Sequence, residues 1–392
     1  MTLAPVEERM WGQSSTKTAH SVANKDIDLN IRYESREQRI LTEINREKLP
    51  SFVESLKKPG YMDLRPFYQR RKRWDIKKQS QLIESFLINI PVPPIVLYEQ
   101  DYNCYEVMDG QQRITAIQEF YEDKLILKGL ELWPELNDLN YSKLPSKIKA
   151  GIDRRSISSI VIITESTKNP EEALFLKQKT FERLNTGGIA LTPQEVRNCL
   201  YQGKFNELLF ELSKNPIFVR AWQIHGEDST DSHNNKTSKM YEKMEDIELI
   251  LRFFALRNVE YFQGGIKKFL DLYMMKSLNF KDNDINDLRS IFNQTIELAS
   301  EIYGNHLFCP YDLEQRTWKT KPYKAFYDAI MVGFSKYLDY ATTWKSKKEI
   351  IVEQTKQIFT QPQSSLLMGG GKSKAEIQQR LQLFENLLTN LI

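Results

Sequence analysis

The spacing of apolar positions predicts a chain whose first half mixes strands with helices and whose second half is helical. Residues 1–35 are polar, rich in Ser, Thr, Asn and charge, without a sustained period, and are expected to form a mobile arm. From 37 to 56, Ile40, Leu41, Ile44, Leu49 and Phe52 suggest a helix or helix pair that Pro59-Gly60 stops and that covers a sheet. Lys78, Leu82, Ile83, Phe86 and Leu87 continue as an amphipathic helix that Pro91 must end. Pro93-Pro94 then opens Ile95-Val96-Leu97-Tyr98, a strand whose hairpin partner is the run from Cys104 to Met108. Ile114, Ile117, Phe120 and Tyr121 return to helical spacing, and the β-branched run from Ile157 to Ile163 reads as a buried strand.

Asn169-Pro170-Glu171-Glu172 has the cap, first-turn proline and acidic residues of a helix start, for a helix reaching Leu184. Asn185-Thr186-Gly187-Gly188 ends it in a turn, leaving Arg183 and Asn185 beside a glycine loop without an obvious partner. Thr192-Pro193-Gln194-Glu195 opens another helix, in which Glu195 is better explained as a capping partner than as a catalytic acid. From Phe205 onward, stripes such as Ile247-Leu251-Phe254, Leu288-Phe292-Ile296-Ala299 and Leu381-Phe384-Leu388 predict an all-α domain in which they form the core.

The chemistry concentrates at Met108-Asp109-Gly110-Gln111-Gln112-Arg113-Ile114-Thr115-Ala116, which follows a strand and leads into a helix. Free N–H groups and the positive dipole end at such a helix start favour an anion, and Arg113 adds a planar cation suited to phosphate oxygens. Asp109 with Gln112 three residues on is equally a capping-box pattern that needs no ligand, although capping gives Gln111 and Arg113 no role. Upstream, residues 64–74 interleave base and ring: Phe67, Tyr68 and Trp74 alternate with Arg65, Arg70, Arg71, Lys72 and Arg73. That run suits a phosphate backbone with stacked bases, or the phosphates of one nucleotide, and equally a solvated face.

Composition narrows the class without naming a ligand. The 392 residues, 41% apolar and 27% charged, describe an ordinary globular protein with room for two domains. Lys plus Arg exceeds Asp plus Glu by 55 to 52, so nucleic-acid binding has to rest on local clusters. Cys104, Cys199 and Cys309 are scattered without a CxxC, which fits a reducing cytoplasm, and the four histidines have no metal or HNH-like spacing. The absence of an apolar run of ~20 residues, or of a signal-peptide centre before Ile40, predicts a soluble cytoplasmic protein without a membrane partner. Gly369-Gly370-Gly371-Lys372-Ser373 imitates a phosphate loop, but the motif's first glycine would fall on Leu366 and no strand precedes it. Ser373-Lys374-Ala375-Glu376 is better read as a capping box opening the last helix.

Tyr68-Gln69-Arg70 with Trp74, Leu82-Ile83, Ile90-Pro91 to Ile95, Asp109-Gly110-Gln111-Gln112-Arg113 and Phe181 to Gly188 resemble, in order, the N-terminal domain of GmrSD-type restriction endonucleases. The resemblance implies a ParB/sulfiredoxin-like mixed α/β domain, over 36–200; with the all-helical domain that periodicity predicts over 201–392, the chain is expected to be α+β. Gly110 to Ala116 also resembles the box with which ParB holds a nucleotide triphosphate, except that Gln111 and Gln112 replace an acid and a base by amides. NTP binding and hydrolysis, coupled to cutting or sensing foreign and often modified phage DNA, is what the family implies. In that reading Asp109, Gln111, Gln112 and Arg113 are catalytic, and Asp109 holds Mg²⁺ or a water that Gln111 or Gln112 orients. Arg70, Arg73, Gly110, Arg113, Thr115, Arg183 and Asn185 bind the nucleotide, while Arg71, Lys72 and Trp74 meet DNA. A companion nuclease or other defence subunit is the expected partner, with homo-oligomers left open. A nucleotide-gated module without turnover and a DNA-nicking nuclease are the alternatives.

Overall fold

The computed structural model describes residues 3–12, 41–64, 74–163, 177, 179, 180, 183, 192–224 and 238–391, and they divide into an α/β unit (18–191) and a helical unit (1–17 with 192–392). The chain is α+β, as its periodicity predicts. The first element, α1 (Pro5–Gly12), corrects the expectation of an arm for these residues: it buries Val6, Glu7 and Met10 in the helical unit. Residues 13–35 lie outside the described part.

The α/β unit begins with β1 (Leu41–Lys48) and α2 (Leu49–Leu56). Here the helix expected from residue 37 is replaced by a strand up to Lys48. Leu41 and Ile44 fit either period, but β1 pairs antiparallel over all eight residues with a later strand, and that ladder overrides the local pattern. Pro50, in the first turn of α2, marks where helix can begin. Next come β2 (Met62–Asp63), α3 (Ile76–Ile88), β3 (Ile95–Asp101), β4 (Cys104–Asp109), α4 (Gln111–Tyr121), α5 (Ser146–Asp153) and β5 (Ser156–Ile163). The Asp75 side chain accepts from Lys78 N–H to start α3, and Asn89, at φ 65°, ends it two residues before Pro91.

The five strands form one mixed sheet in the order β1-β5-β3-β4-β2, with β5 and β3 parallel and the expected β3–β4 hairpin antiparallel. Helices cover one face. Phe52 of α2, Ile83 and Phe86 of α3, Ile114, Ile117 and Phe120 of α4 and Ile152 of α5 pack with Ile95, Leu97, Val107, Ile157 and Val161 of the strands. This core fixes β4 and α4 at an angle that leaves their connecting turn at the sheet's end.

The helical unit continues through α6 (Pro193–Leu200), α7 (Lys204–Leu212), α8 (Pro216–Ala221), α9 (Lys239–Glu242), α10 (Glu245–Arg257), α11 (Gly265–Ser277) and α12 (Asp282–Tyr303). A ribbon of two-residue strands, β6 (Tyr311–Asp312) and β7 (Thr317–Trp318), interrupts the expected all-α pattern. The remaining helices are α13 (Lys324–Ser335), α14 (Ala341–Ser346), α15 (Lys348–Phe359) and α16 (Lys374–Thr389). The expected boundary at 200 moves to 191, because buried Arg197 ties α6 to Glu248 of α10 (2.8 Å) and Asp271 of α11 (2.7 Å). Helix α13 is buried from Ala325 to Ser335, and at its centre Asp328 receives Arg252 at 2.6 Å and Arg380 at 3.1 Å. Arg380 also donates to the carbonyls of Leu366, Gly370 and Gly371. The glycine run therefore presents carbonyls to an arginine, the opposite polarity to a phosphate loop, and Ser373 and Glu376 form the expected capping box.

Glu7 ties α1 to this unit. Its buried carboxylate accepts from Arg257 (2.9 Å), Asn258 (2.8 Å), Tyr273 (3.2 Å) and the Ala4 N–H (2.9 Å). Removing one side of a buried, hydrogen-bonded charge pair costs about 3–5 kcal/mol because the other charge stays behind unpaired. Deleting residues 1–12 is therefore expected to lower the stability of the full chain by at least about 3 kcal/mol, and Glu7→Ala to reproduce most of that loss. Denaturant unfolding of both variants checks it; midpoints equal to the parent's would mean that α1 is dispensable.

Candidate functional site

The turn between β4 and α4 is built around Gly110. It is the N-cap of α4 at φ 98°, and a Cβ there would stand 2.6 Å from Cγ2 of Ile95 and 3.1 Å from a terminal nitrogen of Arg113. Only glycine fits that backbone and that gap. Because Gly110 occupies the cap position, no side chain caps the helix. The capping box open to Asp109 and Gln112 does not form, and among the described residues the first-turn N–H groups of α4 have no side-chain acceptor.

Both residues are used elsewhere. The Asp109 carboxylate accepts from the Arg113 guanidinium at 2.7 Å, and Gln112 Oε1 accepts from the backbone N–H of Trp74 at 2.9 Å. Arg113 is no surface residue. Its side chain is 11% exposed against 52% for Asp109, and it also donates to the carbonyls of Pro93 (2.6 Å) and Pro94 (3.2 Å). Its Nε–H has no partner among the described residues. Gln111, buried, donates through Nε2 to the Leu64 carbonyl at 3.0 Å.

The two glutamines thus hold Leu64 and Trp74, the residues on either side of 65–73. Arg70, Arg71, Lys72 and Arg73 belong to that segment and, like Asn185, lie outside the described residues. The chain carrying the four bases leaves and rejoins the described structure at the turn. Trp74 is half-buried against the core with Lys78 Nζ 5.4 Å from its ring, Thr115 is half-buried in the second turn of α4, and Arg183 is helical and exposed. Glu195 forms its capping box with Thr192, as expected.

One ion pair near the turn has almost no sign in the sequence. Glu106, three residues before Asp109 on β4, is buried and accepts from Lys177 Nζ at 2.6 Å, whose ammonium also lies 4.6 Å from the ring of Tyr98. Its one trace is a carboxylate inside the otherwise apolar end of a central strand. Among the described residues no group of three or more His, Cys, Asp or Glu side chains is placed to hold a metal. A Mg²⁺ at Asp109 would take its remaining ligands from phosphate oxygens and water, the usual arrangement for this ion.

Residues 52–202 match the family model of the GmrSD restriction endonuclease, N-terminal domain. No curated protein and no solved structure matches the chain. No helix among the described residues is long and apolar enough to cross a membrane. The matched stretch starts inside α2 and ends just after α6, so it takes in β2 to β5 and the Gly110 turn and leaves most of the helical unit outside. Over residues 52–202 the chain is therefore similar to the N-terminal domain of GmrSD restriction endonucleases.

Proposed function

We propose that the Gly110 turn binds a nucleoside triphosphate with Mg²⁺ and hydrolyses it, as the NTP-dependent subunit of an anti-phage restriction system acting on foreign DNA. The observation that carries this reading is the attachment of Leu64 and Trp74, the two ends of the basic stretch, to Gln111 and Gln112 at an uncapped helix start. An uncapped start offers N–H groups and a positive dipole end to phosphate oxygens. Arg113 supplies its Nε–H, which no described residue accepts, and its charge, Asp109 a half-exposed carboxylate for Mg²⁺, and Thr115 a hydroxyl one turn further on. Arg70 and Arg73 would neutralise more phosphate charge, with Arg183 and Asn185 closing the site, and Arg71, Lys72 and Trp74 would meet DNA. A companion nuclease or a second copy of the chain is compatible with this role.

One observation favours a second reading, a nucleotide-gated DNA- or partner-binding module without turnover. Each glutamine amide already spends one of its two polar ends on the backbone, which restrains it from orienting a water. Phosphate release from NTP separates the two readings. Nicking of supercoiled plasmid with Mg²⁺ alone would instead make the turn itself a nuclease.

A charge-assisted bond to phosphate is worth about 1.5–3 kcal/mol, so Arg113→Ala should weaken NTP binding tenfold or more. Arg113→Lys restores charge without the planar fork and should recover binding in part. Since Arg113 also holds two prolyl carbonyls, Arg113→Ala should lose about 1–3 kcal/mol of stability as well. Calorimetric titration with NTP and Mg²⁺ at a temperature where circular dichroism shows both variants folded is the check, and equal affinities would leave Arg113 as a purely structural residue.

For DNA, Arg71→Ala with Lys72→Ala should weaken binding and reduce the slope of log K against log salt by about one unit for each phosphate that the variant no longer neutralises. A slope unchanged between 50 and 200 mM salt, roughly the range in which phosphate neutralisation shows, would return the stretch to a solvated face.

A further inference from the structure

The β3–β4 hairpin leaves its regular register at two points. Glu99 stands opposite Tyr105 and Asp101 opposite Cys104, so Gln100 is an extra residue on β3 near the hairpin's turn. Leu97 stands opposite Val107 and Val96 opposite Asp109, so Met108 is an extra residue on β4 just before the Gly110 turn. The second bulge decides where Asp109 points. In an unbroken ladder Met108 would stand opposite Val96, and Asp109 opposite Ile95, a fully buried residue of the core. The bulge places Asp109 opposite Val96 instead, off the face that packs on the helices, and leaves its carboxylate half-exposed.

Between the two bulges, Tyr98 and Glu106 face each other at the centre of the regular stretch. They stand on the side of the sheet away from the core helices, which take Leu97 and Val107 instead. Glu106 is tied from two directions. Its carboxylate accepts from Lys177 Nζ at 2.6 Å and from Nε2 of Gln100, the extra residue of the first bulge. Lys177 is helical and reaches in from outside the two strands, and its ammonium lies 4.6 Å from the Tyr98 ring across the ladder. Both members of the ion pair are buried. A buried pair is a weak source of stability, since apolar residues of similar volume often serve as well or better. Its effect here is on arrangement: a slip of the ladder would carry Glu106 away from both donors and leave an ammonium buried without its counter-charge. A bulge disrupts the ladder where it sits, so the register beside it has to be held by other contacts, and this pair is such a contact.

We propose that Lys177 is a positioning residue, which through Glu106 pins the register of the hairpin and so holds the bulge that aims Asp109. The consequence for nucleotide chemistry rests on the reading of Asp109 as the Mg²⁺ ligand; the pin itself does not.

The test separates pinning from plain stability. Lys177→Met alone leaves the Glu106 carboxylate buried without its cation and should lower the denaturation midpoint markedly. Lys177→Met combined with Glu106→Leu removes both charges and should restore the midpoint without restoring the pin. In that folded double variant, hydrogen exchange from Glu106 to Asp109 is expected to run several-fold faster than in the parent, with the helical unit unchanged. The Mg²⁺ concentration for half-maximal NTP binding should rise about tenfold, the scale on which losing a group that supports a metal ligand acts. Gln100→Ala, at an exposed position, loosens the pin from its other side. It should give smaller shifts in the same direction, and it keeps the test decisive should the double variant fail to fold. Parent-like exchange from Glu106 to Asp109 in the folded variants would overturn the proposal, and so would faster exchange with an unchanged Mg²⁺ requirement. Faster exchange in the variants of a parent that binds no NTP would support the pin and overturn the nucleotide reading alone.

Discussion

The guanidinium of Arg113 holds the α/β unit's working end together. Pro93 and Pro94 precede β3, outside its ladder, so their carbonyls need a donor from elsewhere. Arg113 provides it from the first turn of α4 and pairs at the same time with Asp109 at the end of β4. One planar group thereby fixes the start of one strand, the end of its neighbour and the start of a helix. Gly110 makes this possible, since any side chain at its position would strike Ile95 and crowd the guanidinium. The proposed chemistry at the turn rests on this clamp, because without it neither the helix start nor Asp109 has a defined place.

The same sequence grammar opens three helices, and in two of them it forms the expected cap. Thr192 with Glu195, and Ser373 with Glu376, close capping boxes because each Thr or Ser is itself the N-cap. Asp109 with Gln112 does not, because the helix begins one residue later, at Gln111, and the cap falls on Gly110. That shift is set by the gap beside Ile95, a contact made across the sheet, and no window around the motif contains it. The strand–turn–helix order, the β3–β4 hairpin, strand β5 and the apolar stripes of α10, α12 and α16 were all legible, since each depends on local periodicity, although β5 is only partly buried. Strand β1 was not, because its period is ambiguous and its pairing with β5 spans more than a hundred residues.

Charges that are buried follow a similar rule. Glu7 looks like one more polar residue in a polar stretch, and only the meeting with Arg257, Asn258 and Tyr273, some 250 residues away, turns it into an anchor. Asp328 stands in an apolar helix, yet two arginines from separate helices satisfy it. A buried carboxylate without such partners would be strongly unfavourable, so each marks a place where distant elements must come together in one arrangement. This is a source of structural specificity that hydrophobic patterning does not display.

The sheet carries two different environments that share a wall. At the end of β4, a helix start and a buried guanidinium stand beside a half-exposed carboxylate, with Leu64 and Trp74 held at the same turn. On the helix-covered face near β1, a cavity with an apolar floor carries one acid, Glu47, and one base, Arg46, beside Tyr61 and Tyr105. Ile95 belongs to both, since it lines the cavity and its Cγ2 is the wall against which Gly110 rests. In a close-packed interior a wall shared in this way cannot move on one side alone. A larger or smaller side chain at Ile95 would therefore disturb the cavity and the Gly110 turn together.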